Sequence, residues 1–151
     1  MEQMNALKTW PEAAPRLIAV AAGRAPADTV IRQGKWVNVQ SREVLDGYDI
    51  AIAEGRFAAI APDLSDAIGP DTQVIEAQGR FMLPGLIDGH MHIESGMLTP
   101  AEFAAAVIPH GTTTMFTDPH EIANVLGLPG VRLMHDEAAG LPVNVLVPVP
   151  S

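Results

Sequence analysis

The chain has 151 residues, of which 48% are hydrophobic and 18% charged, with 18 acidic against 9 basic side chains and no cysteine. A net charge of -9 excludes a basic surface for nucleic acid or an anionic membrane, and the high apolar content excludes a disordered acidic tail. Without cysteine, a metal site has to be built from histidine, aspartate and glutamate.

The start of the chain shows no pattern typical of a signal peptide or a membrane span. Its longest apolar run, residues 17–22, is far shorter than the ~20 residues that cross a bilayer. We therefore expect a cytoplasmic location. Residues 4–22 are predicted to form one or two short helices broken at Pro11 and Pro15. Residues 1–27 are interpreted as an N-terminal helical segment.

Residues 28–83 are predicted to form a small antiparallel β unit. Over residues 48–53, large apolar side chains alternate with aspartate and alanine, which predicts one buried face and one wetter face. Four X-Gly pairs occupy positions where a hairpin needs a positive φ angle: Gln33-Gly34, Asp46-Gly47, Glu54-Gly55 and Gln78-Gly79. We interpret these pairs as the turns between short strands.

After Pro84 the sequence alternates between strand and helix patterns. Thr99, Pro100 and Glu102 form the start signal of one helix, and Gly111 suits its end. Predicted strands cover residues 86–93, 112–117 and 143–149, and predicted helices cover 100–109, a segment after residue 118, and 129–139. Such alternation implies parallel βαβ units with right-handed crossovers. Because an open three-stranded sheet is a poor stand-alone fold, we expect the sequence to be incomplete.

All five histidines lie between residues 90 and 135. His90 and His92 end the segment PGLIDGHMH at residues 84–92, directly after an apolar strand. Residues two apart on a strand point to the same face with Cα atoms ~6.6 Å apart, so two imidazoles can converge on one ion. The spacing alone is a weak signal, since histidines two apart also occur by chance on surfaces. The apolar strand and the Pro-Gly break before them favour a metal site.

This motif resembles a known family. The stretch from Asp28 to His92 is similar to the entrance of the amidohydrolase superfamily, metal-dependent hydrolases with a (β/α)8 barrel and a small β-sandwich built from both chain ends. The string HMHIESGMLTPAEFAAAVIPHGTTTMFTDPHEIANVLG resembles the bacterial adenine deaminase branch more than dihydroorotases, D-aminoacylases or N-acetylglucosamine-6-phosphate deacetylases. The resemblance implies an α/β fold in which residues 28–83 form part of the β-sandwich. Residues 84–151 would then form the first three βα elements of a truncated TIM-like barrel.

The resemblance also implies a metal centre and a reaction. His90 and His92 would bind the first ion of a binuclear divalent centre of Mn, Fe, Co or Zn, with manganese favoured. No catalytic residue is assigned within this chain, because the family takes its other ligands and its proton-handling aspartate from later strands. The implied reaction is the hydrolytic deamination of adenine to hypoxanthine and ammonia by metal-activated hydroxide, in purine salvage.

Several expectations about the whole protein follow from this resemblance. The expected partner is a small-molecule purine base, and the full-length protein is expected to be a homo-oligomer. The present chain is expected to be inactive alone. Two alternatives stay open: an amidohydrolase that acts on a cyclic amide or an N-acyl substrate, and a non-catalytic interaction module.

Six further polar residues are candidates for contact with the substrate or with a metal-binding imidazole: Asp88, Glu94, Ser95, Asp118, His120 and Glu121. Asp88 and Glu94 share strand parity with the two histidines; structural hydrogen bonding is the alternative for both and for Ser95. Asp118 and Glu121 are also explained as the cap and capping-box partner of a helix, whereas His120 is not. His110 at a helix end and His135 on a helix surface are interpreted as structural and solvated.

Overall fold

The computed structural model describes residues 8–148, and the chain divides between Leu83 and Pro84 into two compact units. Each unit has a sheet and a hydrophobic core of its own. The mixture of helices and strands confirms the α/β class. Within residues 8–148, no helix is both long enough and apolar enough to cross a membrane.

The first unit begins with one helix, α1 (Trp10–Ala21), rather than with helices broken at proline. Pro11 lies in the first turn, where backbone N–H groups have no partner within a helix in any case. Pro15 removes one further hydrogen bond, and the helix continues because one face is buried against the sheet. Its buried side chains are spaced by three and four residues: Ala13, Leu17 and Val20. The predicted stretch from residue 4 to residue 7 lies outside the described residues.

The sheet of the first unit has five strands: β1 (Thr29–Asn38), β2 (Glu43–Ala53), β3 (Arg56–Ala61), β4 (Gln73–Glu76) and β5 (Phe81–Met82). Its order is β3-β2-β1-β4, and β5 also pairs with β1. The β1–β2 and β2–β3 pairs are antiparallel, but β4 and β5 run parallel to β1. The antiparallel prediction is therefore wrong for these two short strands, which reach β1 through longer connections rather than through hairpins.

Only one of the four X-Gly pairs makes a two-residue hairpin. Residues 54–55 join β2 to β3, and both have positive φ angles. The pairs 33–34 and 46–47 lie opposite each other inside the β1–β2 ladder, where the register shifts, so they form β-bulges instead of turns. A Cβ on Gly34 would lie 2.5 Å from Met82 Sδ, so the bulge also lets β5 approach β1. The pair 78–79 forms the turn between β4 and β5.

Both faces of β2 are buried at its end, so the predicted wetter face is wrong. Ala51 and Ala53 pack in the core that includes α1, and Ile50 packs in a smaller core with Met82. Asp49 is fully buried because its carboxylate has partners: Oδ1 accepts the Gln33 N–H at 2.9 Å, and Oδ2 accepts the Leu64 N–H at 3.1 Å. The Arg32 Nε lies 3.8 Å from Oδ2.

Glu12 holds the start of α1. Its Oε2 accepts the Thr9 hydroxyl at 2.7 Å and the Thr9 backbone N–H at 2.8 Å. The hydroxyl bond first, and the backbone bond second, lower the pKa of Glu12 below its ordinary value of 4.5. Since the pKa is lower in the folded chain than in the unfolded chain, the ionised carboxylate stabilises the fold above pH 4.5. This contribution is lost as the pH falls through the folded pKa.

Glu12→Gln is accordingly expected to lower the urea midpoint of the first unit slightly at neutral pH and by less at about pH 3, because the wild-type carboxyl becomes increasingly protonated as the pH falls below 4.5. Fluorescence follows this unit because both tryptophans, Trp10 and Trp36, lie in it. Glu43→Gln, at an exposed position in the sheet, is the control and should show no such dependence. A Glu12→Gln deficit of equal size at both pH values would contradict the role of the ionised carboxylate.

The second unit alternates strands and helices as predicted. Its elements are β6 (Leu86–Met91), α2 (Pro100–Val107), β7 (Thr112–Thr117), α3 (His120–Leu126), α4 (Leu128–Ala138) and β8 (Asn144–Leu146). The sheet order is β6-β7-β8, and all pairs are parallel, which confirms the βαβ prediction. The predicted first strand ends early because a 3-10 turn, Glu94–Gly96, follows it. Residue 149 of the predicted third strand lies outside the described residues.

Side chains from the strands, the helices and their connecting loops form the core of the second unit. The buried members are Ile93, Ala104, Met115, Met134 and Val143. This core fixes the sheet beneath the loops that follow β6 and β7. Because the strands are parallel, the ends of β6 and β7 emerge at one edge of the sheet, and the candidate site lies there.

Candidate metal centre

The loops after β6 and β7 are hydrogen-bonded to each other. Met91 pairs with Thr117 across the two strands, and the Asp118 N–H donates to the Met91 carbonyl at 2.9 Å. His90 lies near the end of β6 and His92 directly follows that strand. The pairing therefore brings the end of β6, with both histidines, next to Asp118, the first residue after β7.

His90 and His92 converge as the spacing predicts. Their Nε2 atoms are 3.1 Å apart, and the two rings meet edge to face with centroids 4.8 Å apart. Nitrogen ligands bound at about 2.0 to 2.1 Å lie about 3.0 Å apart in octahedral geometry and about 3.4 Å apart in tetrahedral geometry. The observed separation fits a pair of imidazoles that share one divalent ion.

The His92 ring is held by a backbone group. Its Nδ1 lies 2.8 Å from the carbonyl oxygen of Asp118. Because a carbonyl oxygen only accepts, Nδ1 is the donor, and in the neutral ring Nε2 keeps its lone pair. This contact points the free nitrogen of His92 toward His90, as a neighbouring acceptor does for metal-binding histidines in general.

Asp118 faces this pair and does not cap the following helix. Its Oδ2 accepts a hydrogen bond from His120 Nδ1 at 3.1 Å, while Oδ1 is buried with no hydrogen-bond partner among residues 8–148. The bond from His120 is the main cause that lowers the pKa of the Asp118 carboxyl, and the nearby imidazoles contribute. The capping interpretation of Asp118 is wrong, because α3 begins at His120 and its N-cap is Pro119, without a side-chain cap bond.

Glu121, Ser95 and Glu94 join the loop after β6 to α3. The Ser95 hydroxyl donates to the Glu121 carboxylate, which is therefore not a capping-box partner. Glu94 Oε1 accepts the Ile122 N–H at 3.4 Å. Glu121 and His120 also have ligand atoms within 4.8 Å of one from His92. Three of the six further candidates, Asp118, His120 and Glu121, therefore lie beside the histidine pair, whereas Glu94 and Ser95 contact α3.

Asp88 is the candidate that the structure places differently. Its Oδ1 accepts the backbone N–H of His90 at 3.1 Å, and its side chain is exposed. It therefore fixes the backbone of β6 at the site and makes no hydrogen bond to an imidazole within residues 8–148. His110 and His135 lie elsewhere in the unit, both exposed, and His135 is paired with Asp136 on α4.

Asp118 is a candidate from the sequence that the structure places next to both imidazoles. The ligand atoms of His90, His92 and Asp118 lie within 4.8 Å of one another. The available signal was an aspartate directly after a strand that is parallel to the histidine strand. The capping pattern gave an alternative explanation for the same aspartate, and only the pairing of β6 with β7 decides between them.

Comparison with known proteins shows which family the segment that carries this site resembles. Residues 81–151 match the model of the amidohydrolase family. The resemblance inferred from the PGLIDGHMH motif is thereby confirmed.

The chain is also similar to adenine deaminases. The chain is 73% identical over 143 residues to an adenine deaminase of Ruegeria sp. (strain TM1040), which covers 95% of this chain and 24% of that protein. It is 65% identical over 150 residues to an adenine deaminase of Paracoccus denitrificans (strain Pd 1222), which covers 99% of this chain and 25% of that protein. The chain thus spans about a quarter of the length of these curated relatives.

A solved structure shows the same fold. The chain aligns with a molinate hydrolase with a TM-score of 0.62 and 18% sequence identity, over 83% of this chain and 30% of that one. At this identity the likeness concerns the fold alone, and it carries no information about the substrate.

Proposed function

We propose that this chain is part of an adenine deaminase that hydrolyses adenine to hypoxanthine and ammonia. The observation that carries the proposal is the convergence of His90 and His92, with Nε2 atoms 3.1 Å apart at the end of β6, in a segment that matches the amidohydrolase family. The high identity to adenine deaminases supports the choice of substrate over cyclic amides and N-acyl compounds. The whole enzyme would act in purine salvage in the cytoplasm as a homo-oligomer.

His90 and His92 would hold the first ion of a binuclear divalent centre. When bound, a divalent ion lowers the pKa of water from about 15.7 to about 7 and so supplies hydroxide at neutral pH. Histidine and carboxylate ligands accept Mn, Fe, Co or Zn, and we propose manganese from the family resemblance. We also propose that the first unit is part of a β-sandwich and that the second unit is the first part of a (β/α)8 barrel.

The chain's own residues would orient the site and contact the base. The Asp118 carbonyl fixes the His92 ring through Nδ1. The Ser95 hydroxyl fixes Glu121, whose carboxylate accepts hydrogen bonds of the kind that the N–H groups of a purine offer. We propose that His120 and Glu121 face the substrate, because both lie beside the histidine pair at the loop edge of the sheet.

A chimera tests the proposed function. The matched segment of the Ruegeria adenine deaminase is exchanged for this chain, and the purified chimera is incubated with adenine and added Mn²⁺. We expect hypoxanthine and ammonia in equal amounts, whereas the 151-residue chain alone should give neither. A chimera that melts like its parent and binds metal, yet leaves adenine intact, would refute the proposal. Dihydroorotate and an N-acetylated amino sugar are the substrates that test the alternatives.

A further inference from the structure

We propose that Asp118 is a third protein ligand of the ion held by His90 and His92, so that the ends of β6 and β7 form a two-histidine, one-carboxylate site for a divalent transition-metal ion. The inference deepens the proposed function, since it uses the same histidine pair. It assigns to Asp118 a direct bond to the ion, beyond the support that its backbone gives to His92.

The position of Asp118 meets the first requirement of a ligand. It directly follows β7, the strand that pairs with β6, and its N–H donates to the Met91 carbonyl between the two histidines. One ligand atom from each of His90, His92 and Asp118 lies within 4.8 Å of the others. Small side-chain rotations would bring such a set to bonding distances of about 2.0 to 2.2 Å from one ion.

The unpaired oxygen of Asp118 meets the second requirement. Oδ2 is taken by His120, but Oδ1 is buried and has no hydrogen-bond partner among residues 8–148. A buried carboxylate oxygen without a partner is costly and is seldom left so in native proteins. A cation beside His90 and His92 supplies that partner.

The neighbouring carboxylate is a weaker ligand for this ion. Glu121 also lies near His92, but its carboxylate accepts the Ser95 hydroxyl. His92 can serve only one ion, because its Nδ1 is bonded to the Asp118 carbonyl and only Nε2 is free. Two neutral imidazoles and one carboxylate suit Mn, Fe, Co and Zn ions in their divalent states and leave coordination positions open.

The test uses the 151-residue chain and Co²⁺, whose visible absorption reports its ligands. The wild-type chain is titrated by calorimetry and by absorption, beside Asp118→Asn. The asparagine keeps the backbone carbonyl that holds His92 and an amide oxygen that can accept from His120. We expect about one bound ion in the wild type, and an affinity lower by about tenfold to a hundredfold with an altered spectrum in Asp118→Asn.

Asp136→Asn is the matched control, because Asp136 also accepts from a neighbouring histidine, with His135 Nδ1 at 3.2 Å, but on the exposed face of α4. Its affinity should equal that of the wild type. Equal affinity and an equal Co²⁺ spectrum in Asp118→Asn would overturn the proposal. His90→Ala separates the two hypotheses: if it loses Co²⁺ while Asp118→Asn does not, only the third ligand is wrong, whereas full binding in His90→Ala refutes the histidine pair itself.

A measurement on the wild-type chain covers the case in which Asp118→Asn does not fold. The carboxyl ¹³C resonances of the aspartates are followed by NMR as Zn²⁺ is added. The resonance of Asp118 should shift in step with the ring resonances of His90 and His92, while that of Asp136 should stay in place. Shifts in the two rings without a shift in the Asp118 carboxyl would reject the third ligand.

Discussion

Replacing His92 by alanine is expected to remove bound metal and to lower adenine deamination in the chimera by about three orders of magnitude or more. The substitution deletes Nε2, which lies 3.1 Å from His90 Nε2, and it also deletes the ring that the Asp118 carbonyl positions. Elemental analysis of the purified variant gives the metal content, and initial rates with adenine give the activity. His90→Ala should behave in the same way.

His135→Ala is the control for this result. His135 is exposed on α4, and the only polar contact of its side chain within residues 8–148 is with Asp136. Its loss should leave both metal content and rate unchanged. Normal metal content in both His90→Ala and His92→Ala would count against the histidine pair, and a large loss of activity in His135→Ala would show that its position is misjudged.

Replacing Asp49 by alanine is expected to destabilise the first unit by about 2 to 4 kcal/mol. The substitution removes the acceptor that the fully buried Asp49 supplies to the part-buried Gln33 and Leu64 N–H groups, and it leaves Arg32 without its anionic neighbour. Each buried donor that loses its partner costs about 1 to 3 kcal/mol. Urea unfolding followed by tryptophan fluorescence measures the loss, since both tryptophans lie in this unit.

Asp46→Ala is the matched comparison for Asp49→Ala. Asp46 lies on the same strand, but it is exposed, and within residues 8–148 its carboxylate accepts only the N–H of its neighbour Gly47. Its removal should change stability by less than about 1 kcal/mol. Asp49→Asn keeps one acceptor oxygen, so its loss of stability should lie between those of Asp46→Ala and Asp49→Ala. Equal urea midpoints for Asp49→Ala and Asp46→Ala would contradict the importance of the buried carboxylate.

The second unit was the more predictable part of the fold. Its elements begin and end at residues with a local reason to do so, such as Pro100 at the start of α2 and Gly140, with a positive φ, after α4. The first unit is less predictable because a glycine with a positive φ suits a bulge as well as a turn. Gly47 is such a case, since only the pairing of its neighbours Asp46 and Tyr48 with β1 distinguishes the two.

The same difference applies to single polar residues. The convergence of His90 and His92 follows from the two-residue period of a strand, which is a local rule. Alternation along β2 predicts that Asp49 lies on a wetter face. In the structure it is buried, because its carboxylate accepts hydrogen bonds from two backbone N–H groups that lie 15 and 16 positions away in the chain. Asp118 lies at the site because β7 pairs with β6, which brings it next to His92, 26 positions away in the chain. Contacts of this kind depend on tertiary structure and leave no periodic signal.

The candidate ligands lie on different loops, and this arrangement links metal supply to folding. An unfolded chain does not hold the ends of β6 and β7 together, so an ion that needs both binds only after the strands have paired. By mass action, each rise in free metal above the dissociation constant then favours the paired form. A cell that is short of the metal would lose the proposed activity twice, once through empty sites and once through molecules that open and are degraded.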